Sequence, residues 1–259
     1  MNGTKEISFR EKVLNREVLS GTWVVTPDSI VAEVIARSGL AWALLDHEHG
    51  FGDFGDMLHQ LQAMSGSETA SIVRVENNDS SKIKRVLELN PSGVMVPMVN
   101  DANEAERVVS AMRYPPEGIR GLTPLNRGSN FGSDFKDYFD KANRAHTAIV
   151  QIETSRGVEN AGPFAEVDGT DVLFVGPMDL SLGMGLFGKQ DSPEFQKALD
   201  DVANACARSG KSAGILVWSP EQAEAMIERG FTFIGVGSDV GILSQGLASI
   251  TSAFEKFNS

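Results

Sequence analysis

The sequence predicts an α/β fold, a (β/α)8 barrel of the TIM type. Three observations carry that prediction: a length of 259 residues, eight short β-branched runs alternating with longer amphipathic segments, and glycines placed where those segments end. The expected strands are residues 22–25, 42–45, 70–75, 93–96, 147–152, 172–175, 213–217 and 231–236. Between them, residues 29–38, 53–64, 80–89, 103–112, 193–209 and 220–228 carry apolar residues three and four apart, the spacing of one helix face. Gly39, Gly66, Gly210 and Gly230 follow four of these segments, where a helix commonly stops. The same alternation also suits a doubly wound open sheet, which stands as the structural alternative.

No linker rich in Pro, Gly or Ser, no short repeat and no low-complexity tract divides the chain. Residues 1–259 therefore read as a single barrel domain, with 1–20 as an N-terminal extension and 241–259 as a C-terminal helix. That helix carries Ile242, Leu243, Leu247, Ile250 and Phe254 on one face, for packing on its own barrel or on a neighbouring subunit. Residues 113–143 form the irregular stretch, containing the glycine-rich RGSNFGSDF. A long excursion of this kind in a compact domain is usually a functional loop or a disordered one.

Lys and Arg number 23 against 35 Asp and Glu, a formal net charge of −12. That balance opposes capture of a phosphate backbone, so nucleic acid is not an expected partner. The N-terminus lacks the pattern of a signal peptide, and the longest apolar run falls well short of the roughly 20 residues that span a bilayer. No membrane association is expected, and Cys206, alone in the chain, suits a reducing compartment. The expected location is cytoplasmic.

In such a barrel the chemistry sits at the C-terminal strand ends. Strand two runs into Asp46, His47, Glu48 and His49; strand three carries Arg74; strand five ends in Gln151 and Glu153; strand six runs into Gly176, Pro177, Met178 and Asp179. Strand eight ends in Gly235, Gly237 and Asp239, where Gly-x-Gly is a weak phosphate-loop signal that close packing explains equally well. Facing carboxylates on neighbouring strands must carry a proton, an Arg or a metal ion, and two carboxylates plus water suit a hard divalent cation. Either carboxylate alone reads equally as a helix cap or a salt-bridge partner.

His47 and His49 share one face of an extended segment, which opens a zinc reading, although zinc needs about three such ligands and His59 and His146 are poorly placed to supply the rest. A single catalytic His oriented by a carboxylate is the simpler reading, beside ordinary loop histidines. Arg74 requires an anionic partner, either local carboxylates or a substrate carboxylate. No lysine lies in an expected strand, which disfavours Schiff-base chemistry. No Walker loop, Rossmann fingerprint or nucleophile elbow is present, which removes the usual support for nucleotide or serine-hydrolase chemistry.

The segments LLDHEHG, VPMVNDANEAE, RYPPEGIRG, VQIET and GPMDLSLGMG, in this order and at these spacings, resemble the HpcH/HpaI family of metal-dependent pyruvate aldolases over nearly the whole chain. The resemblance implies a barrel assembled as a hexamer, a trimer of dimers, with the last helix exchanged between dimer partners. It implies Glu153 and Asp179 as ligands of a divalent metal (Mg, Mn or Co). Gln151 and the backbone near Gly176, Pro177 and Met178 would hold pyruvate, with Arg74 facing its keto oxygen. His49, oriented by Asp46, would be the acid/base, Glu48 would hydrogen-bond metal-bound water, and Leu216 would shape the aldehyde pocket. The implied reaction is reversible cleavage of a 4-hydroxy-2-oxo acid into pyruvate and an aldehyde. An oxaloacetate decarboxylase on the same scaffold and a non-catalytic keto-acid binder are the alternatives. His47, Met178 and the sequence Val75-Glu-Asn-Asn depart from the common family pattern, and these departures fall on the pocket rim.

Overall fold

In the computed structural model, which describes residues 7–255 and 257, eight parallel strands close in sequence order into a barrel. The elements run α1 (Phe9–Leu14), β1 (Leu19–Val24), α2 (Ser29–Ala36), β2 (Trp42–Asp46), α3 (Phe54–Ala63), β3 (Ala70–Arg74), α4 (Ser80–Glu88), β4 (Gly93–Val96) and α5 (Ala102–Met112). After a single 3-10 turn at Asn130–Gly132 come α6 (Phe135–Ala145), β5 (Thr147–Ile152), α7 (Ser155–Glu159), α8 (Ala161–Glu166), β6 (Val172–Val175) and α9 (Pro177–Gly183). The chain closes with α10 (Pro193–Ser209), β7 (Ser212–Val217), α11 (Pro220–Glu228), β8 (Phe233–Ser238) and α12 (Asp239–Glu255).

Closure of β1 on both β2 and β8 excludes the open-sheet alternative. All eight expected strands form, and β8 starts two residues later than its apolar run predicts, at Phe233, although Thr232 N–H already bonds to Ala213 of β7. The segment expected as an N-terminal extension is partly barrel, since β1 begins at Leu19. Its short helix α1 plugs the N-terminal end: Val13 joins the interior cluster and its carbonyl accepts from the Ser212 hydroxyl at 2.8 Å. The stretch expected to be irregular contains α6, whose Tyr138 and Ala142 pack with Tyr114.

Strand periodicity decides everything that follows, because alternate side chains face opposite sides of a strand. Ala43, Leu45, Val73, Val94, Val150, Leu173, Ile215 and Ile234 point outward into the helix-facing core. Their neighbours Trp42, Leu44, Ile72, Met95, Ile149, Phe174 and Phe233 fill the barrel interior. Aromatic bulk is admitted there only because glycines face it. A Cβ on Gly21 would lie 2.0 Å from the Trp42 ring, and one on Gly235 would lie 2.4 Å from Trp23. The Trp42 and Phe233 rings stack with centroids 4.4 Å apart, making a solid floor beneath the C-terminal mouth.

Helix α12 leaves the barrel with an uncovered apolar face. None of its residues is buried, and Ile242, Leu243, Leu247, Ile250 and Phe254 are all exposed. No helix among the described residues is long and apolar enough to cross a membrane.

Candidate active site

Continuing the inward strand parity past the aromatic floor brings Asp46, Arg74, Gln151, Glu153, Gly176 and Leu216 to the C-terminal mouth. There a cavity of about 230 Å³ is lined by His49, Arg74, Gln151, Glu153, Gly176, Pro177, Met178, Asp179 and Leu216, with Trp23, Val25, Phe174, Trp218, Gly237 and Ser238 completing it. A larger recess of about 870 Å³ opens at the opposite end, around Lys12, Glu33 and Arg37. It gathers none of the strand-end residues and lies where barrel folds keep stability rather than chemistry.

Arg74 is the pivot of the site. Its Nε and Nη2 bind the two oxygens of Asp46 at 2.8 and 2.5 Å, the in-register neighbour on β2. Its Nη1 lies 2.8 Å from Glu48 Oε2 and 3.5 Å from Gln151 Oε1. The question left open by the sequence is thus answered: the anionic partners of Arg74 are local carboxylates. Burial by itself would raise the Asp46 pKa, but the hydrogen bonds and charge of Arg74 outweigh it and hold this carboxyl below its ordinary value.

Asp46 also accepts the backbone N–H groups of Glu48 (3.0 Å) and His49 (3.3 Å). It therefore orients the loop that carries His49 rather than the imidazole itself, as the expected pairing had it. The ring is largely exposed at the mouth, with Nε2 3.9 Å from Glu48 Oε2. Asp46 and Glu48 stand behind Arg74 and His49, off the cavity wall.

Glu153 is buried, and its two oxygens are aimed by a side chain of β5 and by the backbone of the loop after β4. Oε1 accepts from Gln151 Nε2 at 3.1 Å, and Oε2 from the backbone N–H of Met98 at 2.8 Å. Burial first, then the negative charges of Glu48 and Asp179, push its pKa up to about 7 against the Met98 hydrogen bond and Arg74. Glu48 is likewise raised, chiefly by burial. Three carboxylates facing one another with a single guanidinium make a pocket that favours a cation.

The donor set fits a hard divalent ion: two carboxylates, Glu153 and Asp179, with open space in front of them for water. Gly176 keeps that space open, because a Cβ there would sit 2.6 Å from Glu153 Oε1. Asp179 rides on the first turn of α9, opened by Pro177 at its first position. Among the described residues no group of three or more His, Cys, Asp or Glu is arranged to hold a metal by itself. The zinc reading fails for a visible reason. His59 lies on α3 and His146 is buried just before β5, its Nδ1 2.8 Å from the Pro91 carbonyl.

Some contributors escaped the sequence. Met98 adopts a left-handed backbone (φ 54°), which is what turns its N–H toward Glu153, and Asn100 Nδ2 donates to the Met98 carbonyl at 2.7 Å. Backbone donors leave no trace in a pattern of residue types. Asp239, collected among the strand-end polar groups, is spent as a clamp on the backbone N–H groups of Val25 and Thr26.

Barrel, mouth and charge arrangement together make an enzyme site suited to hold a hard cation and to stabilise negative charge developing beside it. Residues 19–245 match the HpcH/HpaI aldolase/citrate lyase family, and the chain belongs to it. It is 37% identical over 248 residues to the 5-keto-4-deoxy-D-glucarate aldolase of Shigella boydii, covering 96% of each chain. Among solved structures it is similar to an HpcH/HpaI aldolase/citrate lyase family protein from Burkholderia cenocepacia J2315, with a TM-score of 0.91 at 30% identity, covering 98% of this chain and 100% of the other. The citrate synthase SbnG is similar at 26% identity, with a TM-score of 0.87 over 98% of this chain and 100% of the other.

Proposed function

We propose that this protein is a divalent-metal-dependent aldolase that reversibly cleaves a 4-hydroxy-2-oxo acid into pyruvate and an aldehyde. The observation that carries the reading is the convergence of Glu153, Asp179, Arg74, Gln151 and His49 on one cavity of about 230 Å³. The reaction class also agrees with the sugar-acid aldolase it resembles at 37% identity.

Glu153 and Asp179 would hold the metal, of the Mg, Mn or Co class, and the bound cation would supply Lewis-acid stabilisation of the enolate charge. Arg74, fixed by Asp46, presents its Nη1 edge toward the oxo acid and adds a second positive group at the developing oxyanion. Gln151 and the backbone around Gly176, Pro177 and Met178 orient the oxo-acid half. His49, at the mouth, takes the proton of the 4-hydroxyl during cleavage and returns it to the aldehyde oxygen in the reverse direction. Glu48, beside both Arg74 and His49, would hydrogen-bond water at the bound cation. Leu216 bounds the aldehyde half.

The enzyme acts as a homo-oligomer in this reading, a trimer of dimers with α12 exchanged between partners. The exposed apolar face of α12, with Ile242, Leu243, Leu247, Ile250 and Phe254, supports it, since such a face is rarely left in water. A cytoplasmic location fits the single, buried Cys206 thiol.

The test is exchange of pyruvate methyl protons in D2O, followed by NMR with Mg²⁺, Mn²⁺ or Co²⁺ and a chelator control. Metal-dependent exchange that disappears in Glu153→Ala is expected. Full activity in that variant would sink the metal assignment, and absence of exchange with every metal would sink the enolate chemistry.

A further inference from the structure

The mouth of the barrel is divided by charge. Its ionisable side chains and the Gln151 amide come from the ends of β2, β3, β5 and β6: His49, Arg74, Gln151, Glu153 and Asp179. The opposite wall, from β7, β8 and β1, is Leu216, Trp218, Val25 and the edge of Trp23, with Gly237 and the uncharged Ser238 contributed by β8. The oxo-acid half of a substrate belongs with the charged wall, so the aldehyde half must lie against the apolar one.

Trp218 dominates that wall. It follows the last residue of β7 and remains 50% exposed although it is among the largest apolar side chains of the chain. Its placement is not casual. Its backbone N–H donates to Gln222 Oε1 at 2.8 Å, the Gln222 N–H is capped by the Ser219 hydroxyl at 3.3 Å, and Pro220 opens α11 at its first position. A half-exposed indole on a locked turn at a pocket rim is a preformed surface for an apolar ligand.

Charge excludes the alternative occupant. Among the described residues Arg74 is the only Lys or Arg lining the cavity, and Asp46 and Glu48 already engage it. A carboxylated aldehyde would be stripped of water against Leu216 and Trp218 with no cation to receive it. A glucarate-derived dicarboxylate, the substrate class in the name of the Shigella boydii relative, leaves its second carboxylate on that aldehyde half.

We propose that Trp218 reads the aldehyde half of the substrate, and that the aldehyde it admits is uncharged with an apolar body. The inference rests on the aldolase reading above. In the synthetic direction the new bond joins pyruvate C3 to the aldehyde carbon; C3 loses one proton, the aldehyde oxygen gains one, and nothing is oxidised or reduced.

The experiment compares aldol addition of pyruvate to pentanal and to succinic semialdehyde, two aldehydes of similar reach that differ by a terminal carboxylate, in the Mn²⁺-loaded enzyme. Selectivity is read as the ratio of kcat/KM values, which does not depend on the fraction of active enzyme. Pentanal is expected to be favoured by at least about tenfold. Trp218→Ala should collapse most of that ratio through KM for pentanal, Trp218→Phe should keep it, and Trp218→Arg should turn it toward succinic semialdehyde. A wild-type preference for succinic semialdehyde overturns the proposal, as does a ratio unmoved by Trp218→Ala and Trp218→Arg. Pyruvate methyl exchange in the wild-type enzyme separates the two levels: exchange with an unmoved ratio refutes the role of Trp218 alone, and no exchange refutes the aldolase reading and this inference together.

Discussion

Glu153→Gln in metal-free protein should change how stability depends on pH, and the size of the change follows from the site. Burial and two neighbouring carboxylates raise Glu153 from 4.5 to about 7. The folded chain therefore binds this proton more tightly than the unfolded chain. Stability is fully present below about pH 4.5 and is lost as pH rises through 7, because ionising Glu153 in the fold costs about 3 kcal/mol for a shift of that size. Glutamine keeps the shape and removes the charge. Urea unfolding with a chelator present, at pH 4 and pH 8, should find the variant gaining about 3 kcal/mol on the wild type between the two conditions. The difference between the two pH values is the quantity to read, since any misfit of the new amide against Gln151 is independent of pH. Adding Mn²⁺ at pH 8 should then stabilise the wild type and leave the variant unmoved. A wild-type-minus-variant difference that is flat in pH would refute the account of Glu153 as a carboxylate held at electrostatic cost for a cation.

His49→Ala should lower turnover by about 10²- to 10⁴-fold while Mn²⁺ affinity, measured by calorimetry, stays near that of the wild type, since the ring lies at the mouth rather than between Glu153 and Asp179. Near-normal turnover would remove it as the base. Gly176→Ala should fold and yet bind Mn²⁺ at least about tenfold more weakly, because its Cβ would press on Glu153 Oε1 from 2.6 Å; unchanged affinity would show that this carboxylate can move aside freely. His146, buried near Arg120, is pushed down from 6.5 to about 4 chiefly by burial. Its neutral form belongs to the fold, so its contribution, about 3 kcal/mol, is lost as pH falls from 6.5 through 4. His146→Gln should flatten acid unfolding over that window, and an unchanged acid midpoint would contradict it.

The fold was legible because strand burial is a period-two property and this chain obeys it in nearly every strand. The same parity that places Trp42, Leu44, Ile72 and Phe174 inside the barrel carries Asp46, Arg74 and Gln151 to its mouth. Short helices were less visible. At 5 and 6 residues, α7 and α8 are too brief to show a helical period, and α9 lies inside a segment read only as a motif. The 11-residue α6 was hidden by its neighbours, since the glycine-rich run before it drew the whole region into a loop. What makes it a helix is tertiary: Tyr138 and Ala142 close over Tyr114, and Arg120 donates to the Tyr138 hydroxyl at 2.6 Å.

Asp46 shows where residue types stop being informative. The family resemblance implied a carboxylate that steers an imidazole, whereas in the structure it accepts two backbone N–H groups and the Nε and Nη2 groups of Arg74. One consequence concerns Arg74. With Nε and Nη2 held by Asp46, a guanidinium that would otherwise sample many rotamers is fixed, and only its Nη1 edge is turned toward Glu48, Gln151 and the cavity. A donor held in advance stabilises charge without first having to reorganise, which is the condition under which a hydrogen bond in a partly dry site contributes most. The second consequence concerns selectivity. An arginine secured in this way is withdrawn from the competition for carboxylates beyond the oxo-acid half, so the bond that prepares the site for enolate chemistry also leaves its far wall to apolar contacts.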